Sequence, residues 1–272
     1  MRCLMRIHAP ELEDEAWCPR FLRDGLTGFL RVASERLRLY DNAAPVIAVL
    51  LKRYAATQLV DLCSGGGGPL LRLRDTLESQ HNIDVLAVLT DLYPNLGAFD
   101  VAVARGQGKV SAVRASVDAS DVPATLKGVL TLFNGFHHFR PALARRIVVD
   151  IAKKQQPFIS LEVVERRFAT VAFLLGTPLA VWALTPLSRP LTLSRLVFTY
   201  VIPLIPLCVW WDGMCSCLRA YSVDELKGLT HDLNDHSYSF RVERIAVPWS
   251  PLRITALIGE PSTRGEAHPA SL

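Results

Sequence analysis

Residues 58–68, Gln-Leu-Val-Asp-Leu-Cys-Ser-Gly-Gly-Gly-Gly, constrain the fold more than any other stretch of the chain. The short apolar run ending in Asp61 reads as a buried strand, and the glycines after it make a turn with no side chains between backbone and ligand. Pro69 suits the start of a helix, where its missing N–H is harmless, and Leu70, Leu73 and Leu77 recur behind it at helical spacing. Strand, glycine turn and helix form the opening half of a nucleotide-binding α/β domain. Two ligand classes that use this unit fit poorly. A phosphate loop needs Lys followed by Ser or Thr at the helix start, where this chain has Pro69-Leu70. A dinucleotide fingerprint counted from Gly65 needs Gly or Ala at position 70, which is Leu.

Asp61, Gly65 and Gly67 instead resemble motif I of the class I S-adenosylmethionine-dependent methyltransferases, with Cys63 where that family often has its first glycine. The similarity continues in order along residues 55–165. A second apolar run, Ile83 to Thr90, ends at Asp91, an acid spaced to take ribose hydroxyls at the tip of a second strand. Val110 to Val113 reads as a third strand, followed by Asp118 and Ala119 where the family has an acidic segment beside the adenine. Gly128 to Phe133 reads as a fourth, running into Asn134-Gly135-Phe136-His137-His138. The resemblance implies S-adenosylmethionine as cofactor, held by Asp61, Cys63, Gly65, Gly67, Asp91, Leu92, Asp118, Ala119 and Asn134. It also implies chemistry near the His pair, a variant common in small-molecule methyltransferases. His137 is the first candidate for a general base, then His138 and Glu162, with Glu165 open between that role and an ion pair with Arg166.

The fold class implied is α/β, a seven-stranded, mostly parallel sheet with N-terminal helices and an apolar helical insertion after the fifth strand. Residues 1–55 form the helical extension, with Tyr40 and Asn42 in the connection between two helices as candidate contacts to the cleft. Residues 56–165 form the cofactor-binding core, including a fifth strand from Phe158 to Val164. Residues 222–259 return to the core with a capped helix at Ser222 and Glu225 and a closing hairpin, Tyr238 to Val247 and Leu252 to Ile258, whose last strand is antiparallel. Residues 260–272 read as a disordered tail.

The insertion, residues 166–221, is the unusual part. No charge occurs from Phe168 to Leu187 or from Leu196 to Trp211. Three readings are open: a buried apolar cap, which Pro178, Pro186, Pro203 and Pro206 favour; a hairpin dipping into one leaflet, with Arg166, Arg167, Arg189 and Arg195 at the headgroups; and a true span. All three imply an apolar or amphipathic substrate. Asp212, after this segment, is open between a substrate contact and a turn cap.

A formal charge of +4 with scattered Lys and Arg gives no support to a nucleic-acid partner. The missing prolines after Asn134 point the same way, because the family's members that methylate bases or amide nitrogens carry them there. Six cysteines without metal-ligand spacing read as thiols of a reducing cytoplasm, no metal is expected, and the N-terminus lacks the apolar core of a secretory signal. The sequence therefore points to a cytoplasmic protein, with membrane contact through residues 168–211 open.

Overall fold

The computed structural model describes residues 5–248 and 250–262. Seven strands form one sheet in the order β3-β2-β1-β4-β5-β7-β6. They are β1 (Gln58–Asp61), β2 (Leu86–Leu89), β3 (Val110–Ala112), β4 (Val129–Phe133), β5 (Phe158–Glu162), β6 (Tyr238–Ala246) and β7 (Arg253–Pro261). Strands β1 to β5 pair in parallel, and β7 lies antiparallel between β5 and β6, with Ser160 opposite Leu257 and Val242 opposite the same residue. The expected seven-stranded, mostly parallel sheet and the antiparallel last strand are both present.

Alternation along the strands sends side chains to two separate cores. Leu59, Val129 and Phe133 face a layer with Ile47 and Leu50 of α2 (Ala44–Arg53) and Leu70, Leu73 and Leu77 of α3 (Gly68–His81). Val60, Leu130 and Leu132 face the opposite layer, where Ile147, Val148 and Ile151 of α5 (Pro141–Lys153) and Leu226 of α10 (Val223–Thr230) pack. The helix α4 (Leu96–Arg105) begins at Asn95, whose side chain accepts from the Ala98 N–H, and α10 has the expected capping box of Ser222 and Glu225.

A third core joins α1 (Arg20–Arg36) to the insertion. There Leu22 and Leu26 of α1 pack against Val181, Ile205, Cys208 and Val209. The two charge-free runs are broken into α6 (Phe168–Leu174), α7 (Thr177–Leu184), α8 (Leu193–Leu196) and α9 (Leu204–Arg219). Proline sets the breaks: Pro178 falls in the first turn of α7 and Pro203 is the residue before α9, positions where a missing N–H leaves no bond unmade. Among the described residues no single helix is long and apolar enough to cross a membrane, and the two helix pairs bend by 43° and 77° at their breaks.

Three local expectations are corrected. The last strand runs on to Pro261, so Glu260 belongs to the sheet, where Arg53 Nη1 reaches its carboxylate at 2.9 Å; residues 263–272 of the expected tail lie outside the described residues. Asn42 makes a contact within the protein: its amide donates to the Ala246 carbonyl at 2.9 Å and ties the α1–α2 connection to the end of β6. Asp212 lies inside α9 and caps no turn of its own helix. Its carboxylate instead accepts from the N–H groups of Leu12 and Glu13, at 2.7 and 3.1 Å, and so caps the short helical turn Leu12–Asp14 of the N-terminal segment. Burial raises the Asp212 pKa to about 6 despite those bonds.

Candidate functional site

Strand order reverses between β1 and β4, so their carboxyl ends diverge and leave a crevice between the following loops, where ligands of open α/β sheets bind. The glycine turn follows β1, and the His pair follows β4. A separate groove lined by Thr57, Gln58, Lys127 and Gly128 lies at the amino ends of these strands and so at the opposite edge of the sheet.

Three residues of the turn have left-handed backbones: Cys63 at φ 56°, Gly65 at φ 51° and Gly67 at φ 68°. Cys63 thus adopts a glycine-like conformation although it carries a side chain. A Cβ built on Gly65 would meet nothing within 4 Å, whereas one on Gly67 would stand 3.0 Å from Leu89 Cδ1 and 3.5 Å from Ala102 Cβ. Gly65 therefore borders open space. Gly67 faces protein, which corrects the expectation that both glycines line the cleft.

Acids brace the turn from below and from the side. Asp61 is buried and its Oδ1 accepts from the Thr131 hydroxyl at 2.8 Å, while burial raises its pKa to about 7. It supports the turn from within the sheet. Asp91, at the tip of β2, accepts from the Gly65 N–H at 3.0 Å through Oδ2 and from the Tyr93 N–H at 2.9 Å through Oδ1. Each oxygen keeps a further lone pair for a ligand hydroxyl. Leu92 beside it is 40% exposed. Asp118 is exposed, and its Oδ1 accepts from the Ser120 N–H at 2.7 Å, the bond that chiefly holds its pKa below the usual carboxylate range; Ala119 next to it is buried. Asn134 has a left-handed φ of 46°, and its Oδ1 accepts from the Val163 N–H at 3.2 Å, so its amide joins β4 to the end of β5.

Beyond Asn134 the chain makes one tight turn, Phe136–His138, that aims both histidines at the N-terminal segment. His137 Nδ1 lies 2.6 Å from Glu162 Oε2, and Glu162 Oε1 accepts from the Phe136 N–H at 2.7 Å. The two histidine rings lie 4.3 Å apart between centroids, tilted by 31°. Sequence reasoning picked the three residues and the structure brings them together. What it missed is the cover: residues 5–15 pass over them as a strap. Glu11 is buried with Oε1 3.7 Å from His137 Nε2, and Asp14 Oδ1 lies 3.1 Å from His138 Nδ1. Arg219, at the end of α9, closes the cluster with Nη1 2.5 Å from Asp14 Oδ2 and 3.2 Å from Glu11 Oε1. Burial alone would lower the His138 pKa, but the hydrogen bond to Asp14 and the charges of Glu11 and Asp14 outweigh it and raise the value to about 9. Burial alone would raise the Asp14 pKa, but the hydrogen bonds and charges of His138 and Arg219 outweigh it and hold Asp14 well below the usual carboxylate range. His137 is 1% exposed under this strap. The acids from Glu11 to Glu15 read in the sequence only as a charge run following the terminus, and nothing in their spacing ties them to a His pair more than a hundred residues away.

Glu11, His137 and His138 bring ligand-capable atoms within 4.8 Å of one another. Arg219 supplies the cationic partner of that cluster. Among the described residues five cysteines are free thiols; Cys215 and Cys217 are both buried within α9. Glu165, the other acid at the end of β5, accepts from the Thr255 hydroxyl at 3.1 Å and lies 3.3 Å from Arg244, while Arg166 pairs with Glu225.

No family model matches the sequence, and no curated protein matches it. Solved structures do match. An O-methyltransferase family protein from Burkholderia thailandensis superposes with a TM-score of 0.50 at 16% identity, covering 86% of this chain and 59% of that one. The plantazolicin methyltransferase BpumL in complex with SAH superposes with a TM-score of 0.52 at 9% identity, covering 91% of this chain and 92% of that one. This chain thus spans about three fifths of the length of the first and nearly all of the second. At such identities the likeness is one of fold: the chain has the class I methyltransferase fold.

Proposed function

We propose that the protein is an S-adenosylmethionine-dependent methyltransferase acting on a small apolar or amphipathic metabolite. The observation that carries this reading is the turn at the carboxyl end of β1. Gly65 leaves space where any side chain would intrude, and the Asp91 carboxylate stands on that space with lone pairs to spare. In this reading the main chain from Cys63 to Gly67 cradles the methionine portion, Asp91 takes the ribose hydroxyls, and Leu92, Asp118 and Ala119 flank the adenine. Asp61 and Asn134 act one step back, holding the turn and the β4 loop in place through Thr131 and Val163.

The bound sulfonium supplies an activated methyl group, and its transfer is an in-line displacement, so the protein's main task is alignment. Where the acceptor must lose a proton, His137 receives it at Nε2. Glu162 fixes the ring through Nδ1 and favours the tautomer with Nε2 free, the division of labour by which a carboxylate orients a histidine base. Because Glu11 covers that nitrogen, the strap lifts to admit the acceptor. The apolar insertion ending at Arg219 supports an apolar acceptor, since α9 joins it directly to the strap.

Two other readings remain within the fold: methyl transfer to a membrane lipid, which the exposed apolar side chains of the insertion favour, and binding without turnover, which the sealed His137 favours. Incubating the protein with methyl-labelled S-adenosylmethionine and separate metabolite and lipid extracts discriminates all three. Label in a small apolar or amphipathic metabolite supports the first, label confined to phospholipid supports the second, and cofactor binding with no labelled product supports the third.

A further inference from the structure

The insertion is turned inside out. Across residues 168–211 the side chains of Thr170, Thr177, Thr185, Ser188, Arg195 and Thr199 are buried. Outward stand Phe168, Leu179, Leu193 and Val201, exposed by 82, 72, 77 and 74%. More than half of the large apolar side chains exposed among the described residues come from this one segment. The helices do have a packed side, since Val181, Ile205, Cys208 and Val209 meet α1, so the outward face is a second apolar surface beyond the core. Single exposed leucines are ordinary; a concentration of this kind marks a contact surface.

We propose that this face docks on one leaflet of a phospholipid bilayer, with α6 to α9 lying in the interface and not crossing it. Three observations choose lipid over a protein partner. Protein interfaces carry roughly one hydrogen bond per 100–200 Å², and this surface has turned most of its hydroxyl and guanidinium groups inward, the pattern that hydrocarbon requires. Three of the four aromatic donors are likewise spent internally: Trp182 Nε1 donates to the Thr199 carbonyl at 2.8 Å, Trp211 Nε1 to the Pro10 carbonyl at 3.1 Å, and the Tyr200 hydroxyl to the Trp182 carbonyl at 2.8 Å. Their rings stay partly exposed, as interfacial aromatics do.

Charge gives the third. From Phe168 to Trp211 there is no acid, and the two charges are Arg189 and Arg195. Arg195 is committed to the carbonyls of Ser188, Pro190 and Asp24, which corrects the expectation that it meets headgroups; Arg166, paired with Glu225, is corrected likewise. Arg189 and the partly exposed Arg167 border the face and supply cationic contact for anionic headgroups. No single helix of this segment is long and apolar enough to span, and the bends of 43° and 77° at the breaks suit short helices lying in the interface. The docking does not depend on the chemistry proposed above.

The test is flotation of the full chain with vesicles of phosphatidylcholine, with and without phosphatidylglycerol. The wild type is expected to float, more strongly with phosphatidylglycerol, and Leu179→Asp/Val201→Asp to partition at least about tenfold less with unchanged circular dichroism and melting temperature. Arg189→Gln should remove part of the gain from phosphatidylglycerol. The proposal is overturned if the wild type stays in the soluble fraction with both vesicles, if the double variant floats equally well, or if sedimentation shows a dimer that the double variant dissociates. S-adenosylmethionine binding measured on the same samples reads the functional proposal separately.

Discussion

Gly65 and Gly67 look equivalent as letters, yet the backbone gives them opposite surroundings. A side chain at Gly67 runs into Leu89 and Ala102, so Gly67→Val should lower the melting temperature sharply, through core overpacking of about 1–3 kcal/mol plus the strain of a positive φ. Loss of cofactor binding by that variant would then report misfolding. Asp91→Ala removes a carboxylate that holds the Gly65 N–H and is proposed to hold the ribose, and it should weaken S-adenosylmethionine binding by about 1.5–3 kcal/mol in calorimetry. Unaltered affinity would assign Asp91 to the turn alone. His137→Ala should lower kcat by about 100-fold with cofactor affinity retained, and a variant with full kcat but a lower melting temperature would make His137 a structural residue of the buried cluster.

At the scale of elements, the strap over the His pair is held by ionised groups, and its stability follows from their titration. His138 has a raised pKa, so its contribution is complete below the ordinary histidine value of about 6.5 and is lost as pH rises through about 9. Asp14 has a depressed pKa, so its contribution is complete above the ordinary carboxylate value and is lost as pH falls below it. Hydrogen exchange of residues 7–15, corrected for the intrinsic rate, should therefore show most protection between about pH 5 and 7 and less toward pH 9 and above. Protection that stays flat to pH 10 would show that the clasp does not depend on the His138 charge. Arg219→Gln should expose the strap at every pH in that range, since it removes the cation shared by Glu11 and Asp14.

For the whole molecule, the sheet was readable because each strand carries a local mark: apolar runs ending in Asp61, Asp91 and Asn134, and a capping box before the closing hairpin. The turn after β1 was readable because close approach needs glycine. The insertion was readable as apolar but not as inverted, because hydropathy says how much apolar surface exists and not which side faces out. The strap was illegible, since its bonds join Glu11 and Asp14 to residues 137, 138 and 219 through three-dimensional packing alone. Which turn Asp212 caps was illegible for the same reason: its partners are the N–H groups of another segment.

The account rests on the open space at Gly65 being the cofactor's, and titration calorimetry of S-adenosylmethionine into the wild type and Gly65→Leu tests that directly. A leucine there projects into the space without touching protein at its Cβ, at a cost of about 1–2 kcal/mol for the left-handed backbone, so the variant should stay folded. The predicted result is one site per chain in the wild type and no measurable binding in the folded variant. Absence of binding to the wild type, or equal affinity in the folded variant, would contradict it.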